Sequence, residues 1–96
     1  MLTEAEIGSA LAGLADWSRN DAEIEKTFEC ASFPDAIAFV VRIGFLAEAA
    51  DHHPDLDIRW RKVRVALTTH DSGGLTAIDF ALAQKIELVA GIENGA

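Results

Sequence analysis

The segment from Ser32 to Pro54 constrains this chain more than any other, because it reads as one long helix with a marked start and a forced stop. Ser32 offers an N-cap, Pro34 suits the first turn, and Asp35 complements the positive end of the helix dipole. Pro54 disfavours helical geometry at the residue before it, so the pattern predicts a helix from about Phe33 to about His52. Such a helix spans roughly 30 Å, the width of a small domain. With 96 residues, the chain has enough material for one core and too little for two, so residues 1–96 are expected to form one domain.

The flanking segments carry their own signals. Thr3 and Glu6 are spaced as a capping box, Leu2 and Ile7 as a hydrophobic staple, and Ile7, Ala10, Leu11 and Leu14 give the following helix its apolar stripe. Asp16 to Asp21 reads as the exit into a strand, with Trp17 at that exit. From Glu23 to Cys30, Ile24, Phe28 and Cys30 alternate with Glu23, Glu25, Thr27 and Glu29, the period of a strand with one wet face. Between Asp57 and Thr69 the apolar phase of Ile58 and Trp60 gives way to that of Val63, Val65 and Leu67, and the slip across Arg61-Lys62 favours a tight hairpin over a bulge. Asp71 to Gly74 is a loop. Thr76 with Asp79 forms a second capping box, opening a last helix through Ile78, Leu82, Ile86 and Val89. The order α-β-β-α-β-β-α implies an α+β fold, a four-stranded antiparallel sheet with three helices packed on one face.

Charge narrows the partners. Sixteen Asp and Glu against eight Lys and Arg give a net charge of −8, a field that repels nucleic-acid phosphates and anionic lipid. The local basic cluster Arg59, Arg61, Lys62 and Arg64 reads as the solvated face of a strand rather than an anion site. Cys30 is the only cysteine, the acidic start lacks the character of a signal peptide, and no apolar run approaches a membrane span. A cytoplasmic protein is expected, and a core this small favours a homo-oligomer.

The chemistry gathers around three histidines. On a helical wheel Ile37, Val41, Phe45, Glu48 and His52 fall within a sector of about 80°, so Glu48 is expected to continue the core stripe and pair with His52; a solvent-exposed i, i+4 pair is the competing reading. His53 leaves the helix at the break made by Pro54, and His70 ends a strand beside a glycine-containing loop, where rigid scaffolds often hold functional groups. Helix capping is an alternative for each histidine taken singly. His52, His53, His70, Glu48 and Asp79 are competent zinc ligands by type, but adjacent histidines point apart and no HExxH or cysteine-bearing spacing is present, which ranks a metal site below metal-free acid–base chemistry.

The ordered set Glu48-x3-His52-His53-Pro54, Trp60, His70 and Asp79, with Asp51 before the histidines and Thr69-His70-x3-Gly74-Leu75-Thr76 leading to Asp79, resembles the signature of the pterin-4a-carbinolamine dehydratases. Trp17 and the Ile24 to Phe28 strand are similar to the family's earlier landmarks, and Thr68 stands where many relatives have serine. The resemblance implies a lyase that dehydrates 4a-hydroxytetrahydropterin to quinonoid dihydropterin, recycling tetrahydrobiopterin after an aromatic amino-acid hydroxylase has used it. It implies no metal and no cofactor beyond the pterin substrate. In the implied catalytic set His52 and His70 are the acid–base pair and His53 orients the pterin; Glu48, Asp79, Trp17 and Thr69 support or bind. It also implies a homodimer or homotetramer, with sheet edges or the last helix as contacts. A non-catalytic oligomeric protein-binding or assembly partner of the same fold is the alternative function.

Overall fold

The computed structural model describes residues 1–93, with side chains described through Gly91. Helix α1 (Glu4–Ala12) leads to strands β1 (Ser18–Asn20) and β2 (Glu23–Glu29), helix α2 (Phe33–Ala50), strands β3 (Asp55–Arg59) and β4 (Lys62–Leu67), a short 3₁₀ turn (His70–Ser72) and helix α3 (Ala77–Glu93). The strands lie in the order β1-β2-β4-β3, each antiparallel to its neighbour. This is the α+β order expected from the periodicity.

Local chemistry explains the boundaries. Thr3 and Glu6 form the capping box, each side chain accepting from the other's backbone N–H. At α2 the Ser32 hydroxyl accepts from the Asp35 N–H at 3.2 Å, with Pro34 in the first turn. The helix ends at Asp51, which adopts the left-handed conformation (φ +50°) as the cap. The β3–β4 pair is the tight hairpin favoured above: Arg59 opposes Lys62, leaving Trp60 and Arg61 as the two-residue turn, Trp60 at φ +58°.

One face of the sheet is apolar. Ile24, Phe28, Val63, Val65 and Leu67 pack against Ile7, Leu14, Phe39, Ile43, Leu82 and Ile86 of the helical layer in one buried cluster. Phe28 stands at its centre, edge-on to both Trp17 and Phe39 with ring centroids 6.1 and 5.0 Å away. The opposite face carries the alternate residues as ion pairs: Arg64 reaches Glu23 and Glu25 at 3.2 and 2.6 Å, and Arg61 reaches Glu29 at 2.8 Å. The basic cluster thus meets an acidic strand, as a solvated sheet face should.

Two readings of the periodicity need correction. The buried stripe of α2 is Ala36, Phe39, Ile43 and Ala47, whereas Ile37, Val41, Phe45 and Glu48 face outward. The helix is apolar in both sectors, so its wheel alone does not say which sector meets the core. On α3, Ile78 is exposed and Phe80, Leu82, Ala83 and Ile86 are buried. A polar exception also enters the core face: Lys26, in phase with Ile24 and Phe28, lies over the Phe28 ring and ion-pairs with Glu87 of α3. Glu87 also accepts from the Trp17 indole N–H at 2.8 Å, so the inward charge has its partners.

Two stability measurements test this account. Phe39 has no solvent exposure, so Phe39→Ala should cost about 3–5 kcal/mol in urea unfolding. The hydrogen bond from Arg64 holds the Glu25 carboxyl below its ordinary range. A carboxylate depressed by folding adds stability that is complete above its unfolded pKa and is lost as pH falls through its folded pKa. The melting curve of Glu25→Gln should therefore lie below that of the parent at neutral pH and converge with it on acidification; parallel curves would refute the assignment.

Candidate active site

The site is assembled from the ends of three rigid elements. At the first, the left-handed Asp51 folds the chain back over the last turn of α2, so that the His52 N–H donates to the Ala47 carbonyl at 3.0 Å and the Asp51 N–H to Glu48 at 3.2 Å. Aspartate tolerates this conformation better than most side chains. Beyond Asp51 the chain is no longer helical, and Pro54 keeps His53 out of the helical region. The two imidazoles consequently separate.

The second element is β4. After Leu67 the chain closes a small loop through paired Thr69 and Gly74 (N–H to carbonyl 3.3 and 3.4 Å), with Gly73 at φ +71° completing the turn. His70 opens the 3₁₀ turn within this loop and is exposed. The third element is the first turn of α3, which carries Asp79, the one polar side chain buried without solvent exposure among the described residues.

Asp79 joins the three. One carboxylate oxygen lies 2.5 Å from His52 Nε2; the other accepts from the Thr69 hydroxyl at 2.8 Å and from the Thr76 backbone N–H at 2.9 Å. Thr76 Oγ1 is engaged with Thr69 Oγ1 at 2.8 Å, so the expected capping box is present in its acidic half and its threonine is diverted to the segment just after β4. A carboxylate can only accept, so His52 Nε2 is the donor and a neutral His52 has its lone pair on Nδ1.

A cavity of about 210 Å³ opens beside this junction, lined by Asp51, His52, His53, Thr68, Thr69, His70 and Asp71. The three histidines and Thr69 are thus brought together, with Asp79 beneath them. Glu48 is not where the wheel placed it: its side chain is 81% exposed and pairs with His53 Nε2 at 3.0 Å, while His52 takes Asp79. The helix ends at Ala50, two residues before the His52 that this pairing required to be helical. Trp17 lies apart, packed in the core on Glu87. Asp51, quoted above as part of the signature and not as a site residue, and Asp71 also line the cavity; an aspartate directly before His-His-Pro was the available sign of a left-handed cap. Among the described residues, no group of three or more His, Cys, Asp or Glu side chains is arranged to hold a metal ion, and no helix is long and apolar enough to cross a membrane.

The family model for pterin 4 alpha carbinolamine dehydratase matches residues 1–89. The chain belongs to this family. A protein of Roseiflexus sp. (strain RS-1), provisionally named pterin-4-alpha-carbinolamine dehydratase, is 62% identical over 86 residues, covering 90% of this chain and 92% of its own. A Nocardia farcinica protein with the same provisional name is 49% identical over 90 residues, covering 94% and 95%. Among solved structures, the Brucella melitensis protein described as a transcriptional coactivator/pterin dehydratase superposes with a TM-score of 0.90 at 35% identity, covering 94% of this chain and 98% of that one. A pterin dehydratase-like protein described as a RuBisCO assembly factor shares the fold, at a TM-score of 0.68 and 22% identity over 79% of this chain and 90% of its own.

The two carboxylates separate in one measurement. Nitrogen-detected NMR of the imidazoles should show one fixed tautomer for His52, lost on Asp79→Asn; Glu48→Gln should alter His53 and leave His52 unchanged. A change in His52 caused by Glu48→Gln would contradict the pairing.

Proposed function

We propose that this chain is a hydro-lyase that converts 4a-hydroxytetrahydrobiopterin, or a related 4a-hydroxytetrahydropterin, to quinonoid dihydropterin and water by metal-free histidine acid–base catalysis. The observation that carries the reading is the convergence of His52, His53 and His70 on one cavity, with His52 held by a buried carboxylate. Family membership supports the substrate class.

The reaction needs two proton movements. An acid protonates the hydroxyl leaving C4a, a base removes the N5 proton, and a C4a=N5 double bond forms as water departs. Imidazoles suit both steps because each can hold or release a proton near neutral pH. In this reading His52 and His70 share the two transfers. Asp79 balances the charge on His52 when that ring is protonated, and Thr69 holds the carboxylate in register. His53, exposed and adjustable, orients the pterin ring with Glu48 behind it. No cofactor is required, because no electrons enter or leave. A substrate without phosphate also suits a chain of net charge −8. The reading places the enzyme in the cytoplasm, in recycling of tetrahydropterin behind an aromatic amino-acid hydroxylase.

Stopped-flow assay with freshly generated 4a-carbinolamine tests the proposal, because the compound also dehydrates unaided and only acceleration over that background counts. His52→Ala and His70→Ala should each lower kcat by about 100- to 10,000-fold with the fold retained. Near-normal turnover by either variant would remove that histidine from the catalytic pair. A chelator should leave the rate unchanged; loss restored by zinc would establish a metal mechanism instead. No acceleration by the parent protein, together with stoichiometric capture of a protein partner, would favour the non-catalytic partner role.

A further inference from the structure

Thr76 is the residue before α3, the position from which a threonine hydroxyl ordinarily accepts a hydrogen bond from the first turn of its own helix. Here the Asp79 N–H goes instead to the Thr76 backbone carbonyl at 3.2 Å, and the hydroxyl is turned to Thr69 Oγ1 at 2.8 Å. What lies beyond Thr69 fixes the direction of that bond. Thr69 has one hydroxyl hydrogen and two acceptors, Asp79 Oδ2 and Thr76 Oγ1, each at 2.8 Å. The carboxylate is the stronger acceptor and cannot donate, so the Thr69 hydrogen goes to Asp79 and the bond between the threonines is made by the hydrogen of Thr76. The chain therefore runs one way. Thr76 donates to Thr69, Thr69 donates to Asp79 Oδ2, and Asp79 Oδ1 accepts from His52 Nε2. The Thr76 backbone N–H also reaches Oδ2, at 2.9 Å, so that oxygen has two donors and Oδ1 serves the imidazole.

We infer that the Thr76 hydroxyl is a positioning group for the proposed acid–base pair: by donating to Thr69 it holds that side chain on Asp79, and so sets His52 and the start of the His70 loop relative to each other. The inference rests on the reading of His52 and His70 as the residues that move protons. Thr69 is the member common to both. Its side chain reaches the carboxylate that holds His52. Its backbone, joined to Gly74 by N–H to carbonyl bonds of 3.3 and 3.4 Å, closes the base of the loop that His70 opens.

Without the Thr76 hydrogen, Thr69 Oγ1 has no donor among the described residues, and one bond rather than two then holds the side chain. The half-buried Thr69 is free to rotate away from Asp79, which would keep the Thr76 N–H and lose its tie to the His70 side of the site. Thr76 is not among the residues that line the cavity, so its hydroxyl acts on the geometry of the proton transfers and leaves the binding surface intact.

Three variants test the inference. Thr76→Val and Thr76→Ala remove the hydroxyl, with and without its bulk, and keep the backbone N–H; Thr76→Ser keeps both. In proton NMR of the free protein, the His52 Nε2–H and the Thr69 hydroxyl proton should exchange slowly with water. Thr76→Val and Thr76→Ala should speed both exchanges by about tenfold, the worth of one hydrogen bond, and Thr76→Ser should return them to the parent rates. In stopped-flow dehydration of the 4a-carbinolamine, the two hydroxyl-free variants should lose about 10- to 100-fold in kcat with KM within about twofold, and Thr76→Ser should recover most of the loss. Exchange unchanged in the hydroxyl-free variants, or not restored by serine, would overturn the positioning role. Faster exchange with unchanged kcat would confine Thr76 to the fold and overturn its part in the reaction. A parent protein that fails to accelerate the dehydration would sink the proposed function alone, and the exchange rates would still decide whether Thr76 holds Thr69 and His52 in place.

Discussion

The buried carboxylate of Asp79 holds the working end of the molecule together. It accepts from the residue before α3 through the Thr76 N–H, from the segment after β4 through the Thr69 hydroxyl and from the segment after α2 through His52. Burying a charge is costly unless its hydrogen bonds are made, and each of these partners comes from a different element. Satisfying the carboxylate therefore fixes the three element ends relative to one another. The loop bearing His70 leaves from one of those ends, so the position of the third histidine is tied to the same group.

A second inward charge does similar work at the other side of the core. Lys26 faces the helical layer, where Glu87 meets both its ammonium and the Trp17 indole N–H, and where the Ala15 carbonyl lies 3.3 Å from Nζ. This ties α3 to β2 and to the segment after α1. Together with the Asp79 junction it pins α3 by polar contacts along its length, while Leu82, Ala83 and Ile86 supply the apolar contact between them. Trp17 belongs to this network and is not among the residues that line the cavity.

Much of this was legible in the sequence because the deciding signals are local. The Thr3–Glu6 box, the Ser32 cap, the stop before Pro54 and the phase slip at the β3–β4 turn each act over a few residues, and each corresponds to an observed boundary. What failed depended on distance or on an unseen backbone choice. Glu48 and His52 share a helical face only if the helix continues, and the left-handed Asp51 ends it between them. Lys26 and Glu87 are 61 positions apart, so no spacing rule could pair them. The wheel of α2 found an apolar sector correctly but chose the outward one, because a helix with two such sectors gives no local clue to which one its own core will take.

The unlike surroundings of His52 and His53 follow from that single break. In a helix, adjacent side chains are about 100° apart, and both could lie along one flank. Once Asp51 turns the chain and Pro54 keeps it extended, successive side chains point to opposite sides. His52 is carried inward, where its side chain is 11% exposed and bound to a buried carboxylate that two further hydrogen bonds hold. His53 is carried outward to 63% exposure and an open pair with Glu48, an interaction that water weakens to little energetic consequence. The same dipeptide thus supplies one fixed imidazole and one adjustable imidazole to the edge of a single cavity. In the proposed function the fixed ring suits a proton transfer that requires one geometry, and the adjustable ring suits contact with a pterin that must enter and leave.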